Sequence, residues 1–200
     1  MGVTQKPGFS LGEIEAALAH MFGVHPAKRA TFSARLQQLQ RLGLPSGAQP
    51  GRGKRFRYEF WQVADFAVCV DLLDAGIPPN LLKTHFSGVG GVYSAVGMGA
   101  KIEHCNPTPT EGLHLFIEFR ALNYLRSTDA GRTEEHAADH IMKFRAGAGY
   151  LIGETADTPV VVLNLSKRLH DLKASILEVL PHLAVQATFP PVVPRPGMIA

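Results

Sequence analysis

Cysteine is scarce in this chain of 200 residues: Cys69 and Cys105 are the two present. Two thiols cannot build a disulfide framework, and Cys69 lies in an apolar helical run that favours a buried thiol. A disulfide-stapled secreted scaffold is thereby excluded, and a reducing, cytosolic setting is expected. Long apolar runs are also missing. No stretch approaches the roughly 20 residues that cross a bilayer, and the opening "MGVTQKPGF" has no apolar signal core. The expectation is a cytoplasmic, nucleoid-associated protein with no membrane partner. Acid is the third shortage, and it is local. Residues 1–60 hold nine Lys/Arg against three Asp/Glu, a balance of +6, while the other 140 residues carry −3 of the overall +3. A basic third on a nearly neutral body suits a chain that meets a polyanion with one end, because Lys and Arg release condensed counterions as they neutralise phosphates.

What is present in quantity is apolar: 46% of the residues are hydrophobic, ample for a core, and the length suggests two compact units. In "FSLGEIEAALAHMF", Ser10 followed by Glu13 is a capping box, and Phe9 with Ile14 occupies staple positions. Ile14, Ala17, Leu18 and Met21 recur at helical spacing, and Gly23 closes the helix. A second helix is predicted from near Pro26 to Gly43. Steps of about 100° put Phe32, Leu36 and Leu39 on one stripe and Thr31, Ala34, Arg35, Gln38 and Arg41 on the other side. Two helices joined by a short turn, the second with an Arg/Gln/Thr face, fit a helix-turn-helix; an ordinary amphipathic hairpin fits the same pattern.

Between "LPSGAQPG" and "EFWQVADF" the residues leave room for a tight hairpin. Its "KRFRY" alternates with period two, separating Lys54, Phe56 and Tyr58 from Arg55 and Arg57. The aromatics are expected to anchor this arm while the arginines project outward to a phosphate backbone. A third helix follows, packed through Phe60, Val63, Phe66, Ala67, Val70 and Leu73 and ended by Gly76. "IPPNLLKTHF" reads as one more short helix.

The ordered set of "GVHP", "RLGLP", "GKRFRY" and "VADFAVCVDLLDAGIPPNLL" resembles the MerR-type winged helix-turn-helix over roughly residues 10–86. The resemblance implies that the second helix enters the major groove with Lys28, Arg29, Thr31, Arg35 and Gln38. It implies phosphate contacts from the wing through Arg52, Lys54, Arg55, Arg57 and Tyr58. The chain departs from the family in a longer second helix, in Gln38 and Leu39 standing where an aromatic pair is common, and in lacking the family's metal-binding cysteines. Metal sensing therefore does not carry over.

The C-terminal half is expected to be a small α+β domain over 111–183, behind a Gly/Pro-rich linker at 87–110 and ahead of a Pro-rich tail at 184–200. "LHLFIEFRAL" alternates Leu113, Leu115, Ile117 and Phe119 as a half-buried strand, and "PVVVLNL" reads as a buried strand. "TEEHAADHIMKFRAGAG" is predicted as a helix capped by Thr133, and "SKRLHDLKASILEVL" as the last helix. Leu165, Leu169, Leu172, Ile176 and Val179 follow a heptad spacing that fits either a seam between two subunits or packing on the chain's own sheet. His136 and His140 stand one turn apart with no third ligand at a suitable spacing, so no metal is expected. Neighbouring His104 and Cys105 do not form a nucleophile and base pair aimed at one substrate. No cofactor and no enzymatic activity are expected. The fold class is α+β, a winged helix-turn-helix followed by a small α+β domain. The function expected is a bacterial, homodimeric, double-stranded DNA-binding transcriptional regulator that touches RNA polymerase or another protein. A protein-interaction adaptor and a small-molecule sensor stand as alternatives.

Overall fold

The computed structural model describes residues 8–45, 56–86, 112–118, 141–146 and 160–187. Their order is α1 (Leu11–Met21), a 3-10 turn (Pro26–Lys28), α2 (Arg29–Arg41), α3 (Phe60–Asp74), α4 (Pro79–Phe86), β1 (Leu113–Glu118), β2 (Ile141–Ala146), β3 (Val160–Asn164), α5 (Leu165–Val179) and a 3-10 turn (Pro181–Gln186). The class is mixed α+β, mostly helical.

The capping box at the start of α1 forms in both directions. The Glu13 backbone N–H donates to Ser10 Oγ at 3.3 Å, and the Ser10 N–H donates to the Glu13 carboxylate at 2.6 Å, so two N–H groups that the first helical turn leaves without partners are satisfied. Phe9 and Ile14 are both buried. Gly23, at φ 61°, turns the chain out of α1 in a conformation that costs other residues steric strain. α3 begins with the Glu59 N–H donating to the Gln62 side chain at 3.0 Å. Its expected single apolar face is exceeded: residues 62–69 are all buried, Asp65 among them. α3 is the most extensively buried of the described helices.

The three strands pair antiparallel in the order β2-β1-β3. β1 lies in the middle, with Leu115 opposite Phe144 on one side and Leu163 on the other. β2 corrects the helix predicted around Ile141–Ala146. The helical reading rested on capping and charge placement, yet "IMKFRA" also alternates with period two, and in register with β1 it gains a ladder of hydrogen bonds that an isolated amphipathic turn lacks. Thr133, His136 and His140 lie outside the described residues, as do His104, Cys105 and residues 188–200 of the expected tail.

β3 runs directly into α5, whose first turn is capped by Asn164 Oδ1 accepting from the Lys167 N–H at 2.8 Å. α5 reaches across the sequence. It packs on α1 and α3 as well as on β1, and Leu169, Leu172 and Ile176 share one apolar core with Ile14, Leu18, Phe66 and Leu115. The polar ties agree. Ser175 Oγ donates to the Ala17 carbonyl at 2.7 Å, Arg168 holds Asp71 through two bonds of 2.6 Å, and the Gly8 N–H donates to Gln186 Oε1 at 2.7 Å. The heptad residues of α5 are thus spent inside the chain. Burying four such aliphatic side chains is worth about 1.5–3 kcal/mol each, so the first and last thirds of the sequence stabilise one another.

Candidate nucleic-acid interface

Between Glu15 and Glu59 the chain carries eight Lys/Arg and no Asp or Glu. α2 lies within this span, and its periodicity divides the surface cleanly. Phe32, Leu36 and Leu39 are buried, while Thr31, Ala34, Arg35, Gln37, Gln38 and Arg41 are exposed. Lys28 is exposed in the 3-10 turn that precedes the helix and Arg29, half-buried, opens it. The turn is fixed by His25, whose Nδ1 accepts the Ala27 N–H at 3.2 Å, and by Pro26, which fits a first turn because it has no N–H to leave unpaired. The salt bridges among the described residues involve none of Lys28, Arg29, Arg35 or Arg41. A guanidinium that no described carboxylate engages can offer its donors to a ligand, and its planar fork suits phosphate or a guanine edge. Gln37 and Arg41 extend the face beyond the residues singled out from the sequence; the same 100° stepping finds them.

The arm behaves differently. Arg52, Lys54 and Arg55 lie outside the described residues. Phe56 and Tyr58 do anchor it: their rings meet edge to face with centroids 4.7 Å apart, and Tyr58 meets Phe66 at 5.6 Å. Tyr58 also pairs with Phe9 in an isolated antiparallel bridge, with N–H···O distances of 2.7 and 2.8 Å. The phosphate contact expected of Tyr58 is corrected here. Its side chain is buried, 1% exposed, and its hydroxyl accepts a hydrogen bond from Gln40; burial pushes its pKa up, against the Gln40 contact. A ring that large gives more by filling the core than its hydroxyl gives at the surface.

Arg57 is corrected in direction. Its Nη1 donates to Glu13 Oε2 at 2.7 Å and to the Gly8 carbonyl at 3.2 Å, turning inward to the start of α1 rather than outward. Burial raises the Glu13 pKa, but the Ser10 N–H and hydroxyl and the Arg57 charge outweigh it and hold the carboxyl below its ordinary value. Gly8 sits where a Cβ would stand 2.7 Å from the Tyr58 carbonyl oxygen, at φ 142°, so the approach of the N-terminal segment to the arm requires glycine.

Asp71 of α3 and Arg168 of α5 form a fork with side-chain exposures of 10% and 29%, and the Arg168 guanidinium lies 5.0 Å from the centre of the Phe22 ring. Burial pushes the Asp71 carboxyl up to about 6 in spite of Arg168 beside it. Asp65 is fully buried with Oδ1 lacking a hydrogen-bond partner, and burial raises its pKa well above the usual carboxylate range. The sequence offers no local signal for the Asp71–Arg168 contact, whose members are 97 residues apart. Among the described residues no three His, Cys, Asp or Glu side chains gather to hold a metal ion, and no helix is long and apolar enough to cross a membrane. Comparison with family models, with curated proteins and with solved structures finds no match to this chain.

Proposed function

We propose that the chain is a sequence-specific double-stranded DNA-binding transcriptional regulator of MerR-like type, with residues 10–86 acting as a winged helix-turn-helix. α2 enters the major groove, where Arg29, Thr31, Arg35 and Gln38 meet base edges and Lys28 and Arg41 meet phosphates at its two ends. Arg52, Lys54 and Arg55, which lie outside the described residues, are assigned phosphate contacts in this reading. One observation carries this reading: a helix with a buried apolar stripe turns a basic, amide-rich face to solvent, and among the described residues none of its cations joins a salt bridge. An ordinary surface helix gains from i,i+4 acid–base pairs, and α2 contains no acid with which to make one.

A homodimer on a two-fold duplex site is part of the proposal, with its seam moved. Leu165, Leu169, Leu172 and Ile176 are buried within the chain, so pairing has to use other surface, and Leu177 and Val185 are the large apolar side chains left exposed among the described residues.

The test is a salt titration of duplex affinity. Each neutralised phosphate contributes about −0.9 to the log-log slope. Arg35→Ala is expected to cost on the order of 1–3 kcal/mol on a cognate duplex and much less on a random one, with folding stability unchanged within about 0.5 kcal/mol. Binding insensitive to salt, or unaltered by Arg29→Ala and Arg35→Ala together, would overturn the assignment of α2.

A further inference from the structure

Two charges of opposite sign, neither in a salt bridge among the described residues, line one cavity. It holds about 390 Å³ between α2, α3 and the turn after α1, with Phe22, Val24, Phe32, Val70 and Leu73 as its apolar lining and Arg35 and Asp74 as its charged members. That volume falls within the range of about 300–1,000 Å³ typical of small-molecule sites, which pair an apolar surround with a few polar groups that fix orientation. Arg35 and Asp74 are both exposed, and neither joins a salt bridge, with each other or with another described residue. Asp74 is the last residue of α3, so the carbonyl ends of that helix add partial negative charge beside its carboxylate. Arg35 presents the fork that carboxylates accept. One wall is held in place from behind, because the Phe22 ring lies under Arg168, which Asp71 grips by two hydrogen bonds.

We propose that this cavity binds a small zwitterion with an apolar body, of the class of an aromatic α-amino acid, with its carboxylate on Arg35 and its ammonium beside Asp74. The apolar surround takes the side chain, and Arg35 and Asp74 take the two ends of the polar head. The site has a consequence that rests on the DNA reading above: a ligand carboxylate on Arg35 occupies the guanidinium that a base edge would use. Ligand and duplex therefore compete, and the chain releases DNA when the ligand is abundant.

The test is calorimetric titration of the full chain with L-phenylalanine in the absence of DNA, in parallel with 3-phenylpropionate, which lacks the ammonium, and phenethylamine, which lacks the carboxylate. L-phenylalanine is expected to bind saturably and each truncated probe at least tenfold more weakly. Asp74→Asn should weaken L-phenylalanine by at least tenfold and leave 3-phenylpropionate unaffected. Val70→Trp, which fills the cavity, should abolish binding of all three. Because Asp74 lies exposed at a helix end, Asp74→Asn keeps the fold and decides the matter even where Val70→Trp does not fold. No saturable binding at millimolar L-phenylalanine, or equal binding to wild type and Asp74→Asn, overturns the site. In a second arm, saturating L-phenylalanine should lower duplex affinity of the wild type by tenfold or more; an unchanged affinity overturns the competition. A chain that binds L-phenylalanine but no duplex upholds the cavity and defeats the DNA reading separately.

Discussion

The arginines of the outer face of α2 and those that tie the helices together have the same chemistry and opposite circumstances. Arg35 and Arg41 stand exposed and join no salt bridge among the described residues, whereas Arg57 is held by Glu13 and Arg168 by Asp71. Positive charge in the first sixty residues is therefore not one population. Arg57 neutralises a carboxylate that the folded chain has partly desolvated, and it belongs to the stability of the fold. Arg35 and Arg41 on α2 are exposed and leave a field that a polyanion can answer. Counting basic residues along the sequence cannot separate these groups, because the distinction lies in where Glu13 and Asp71 end up.

The sharpest way to break this division is to attack the inner set where it meets the core. Leu172 of α5 is completely buried, and Leu172→Ala should lower the stability of the whole chain by about 2–5 kcal/mol, read as a shift in the urea midpoint with the slope unchanged. A separate C-terminal unit would instead give two transitions, the first leaving α1 to α4 folded.

Arg168→Met comes next, at on the order of 1–3 kcal/mol, since it strands the buried Asp71 carboxylate. The double variant Arg168→Met with Asp71→Leu should recover most of that loss, because a well-packed apolar pair often replaces a buried ion pair at no cost. The pH dependence has a definite sign. The Asp71 carboxyl sits at about 6 in the folded chain against about 3.9 in the unfolded one, so the folded state holds the proton more tightly. Its contribution to stability is full below about pH 4 and gone once the pH has passed 6. Asp65 acts with the same sign and Glu13 with the opposite one, losing stability as the pH falls. Stability should decline between pH 4 and 7, and Asp71→Asn should flatten the decline. A curve that rises over that window and is indifferent to Asp71→Asn would contradict the burial of this carboxyl.

Legibility followed the range of the forces involved. The ends of α1 and the two sides of α2 were readable because a capping box and a 3.6-residue stripe are local: Ser10 and Glu13 are three residues apart, and Phe32, Leu36 and Leu39 recur within two turns. The strand at Ile141–Ala146 was misread because a six-residue stretch is decided by its partner strand, Leu113–Glu118, which period and propensity do not encode. The inward turn of Arg57 depends on Glu13, 44 residues away, and the seating of α5 on α1 joins Ser175 to Ala17 across 158 positions. The alternation of Phe56 and Tyr58 was legible, but not that the tyrosine hydroxyl would be consumed by Gln40.

The smallest expected effect is the most discriminating for the comparison. Arg57→Ala removes a cation from the same basic segment as Arg35, and on charge alone the two substitutions should weaken duplex binding alike. The pair with Glu13 makes them unequal. With side-chain exposures of 21% and 24% the pair is partly screened, so its loss should cost no more than about 1 kcal/mol of stability, seen as a small drop in the urea midpoint that deepens once Glu13 is ionised. Under the proposed duplex binding, the salt slope should stay at its wild-type value, because Arg57 pairs with Glu13, while Arg35→Ala should alter duplex binding and leave stability where it was. If Arg57→Ala instead lowers the slope by about 0.9, the count for one phosphate, Arg57 leaves Glu13 for the duplex when DNA is bound, and the boundary between structural and free arginines moves with the ligand.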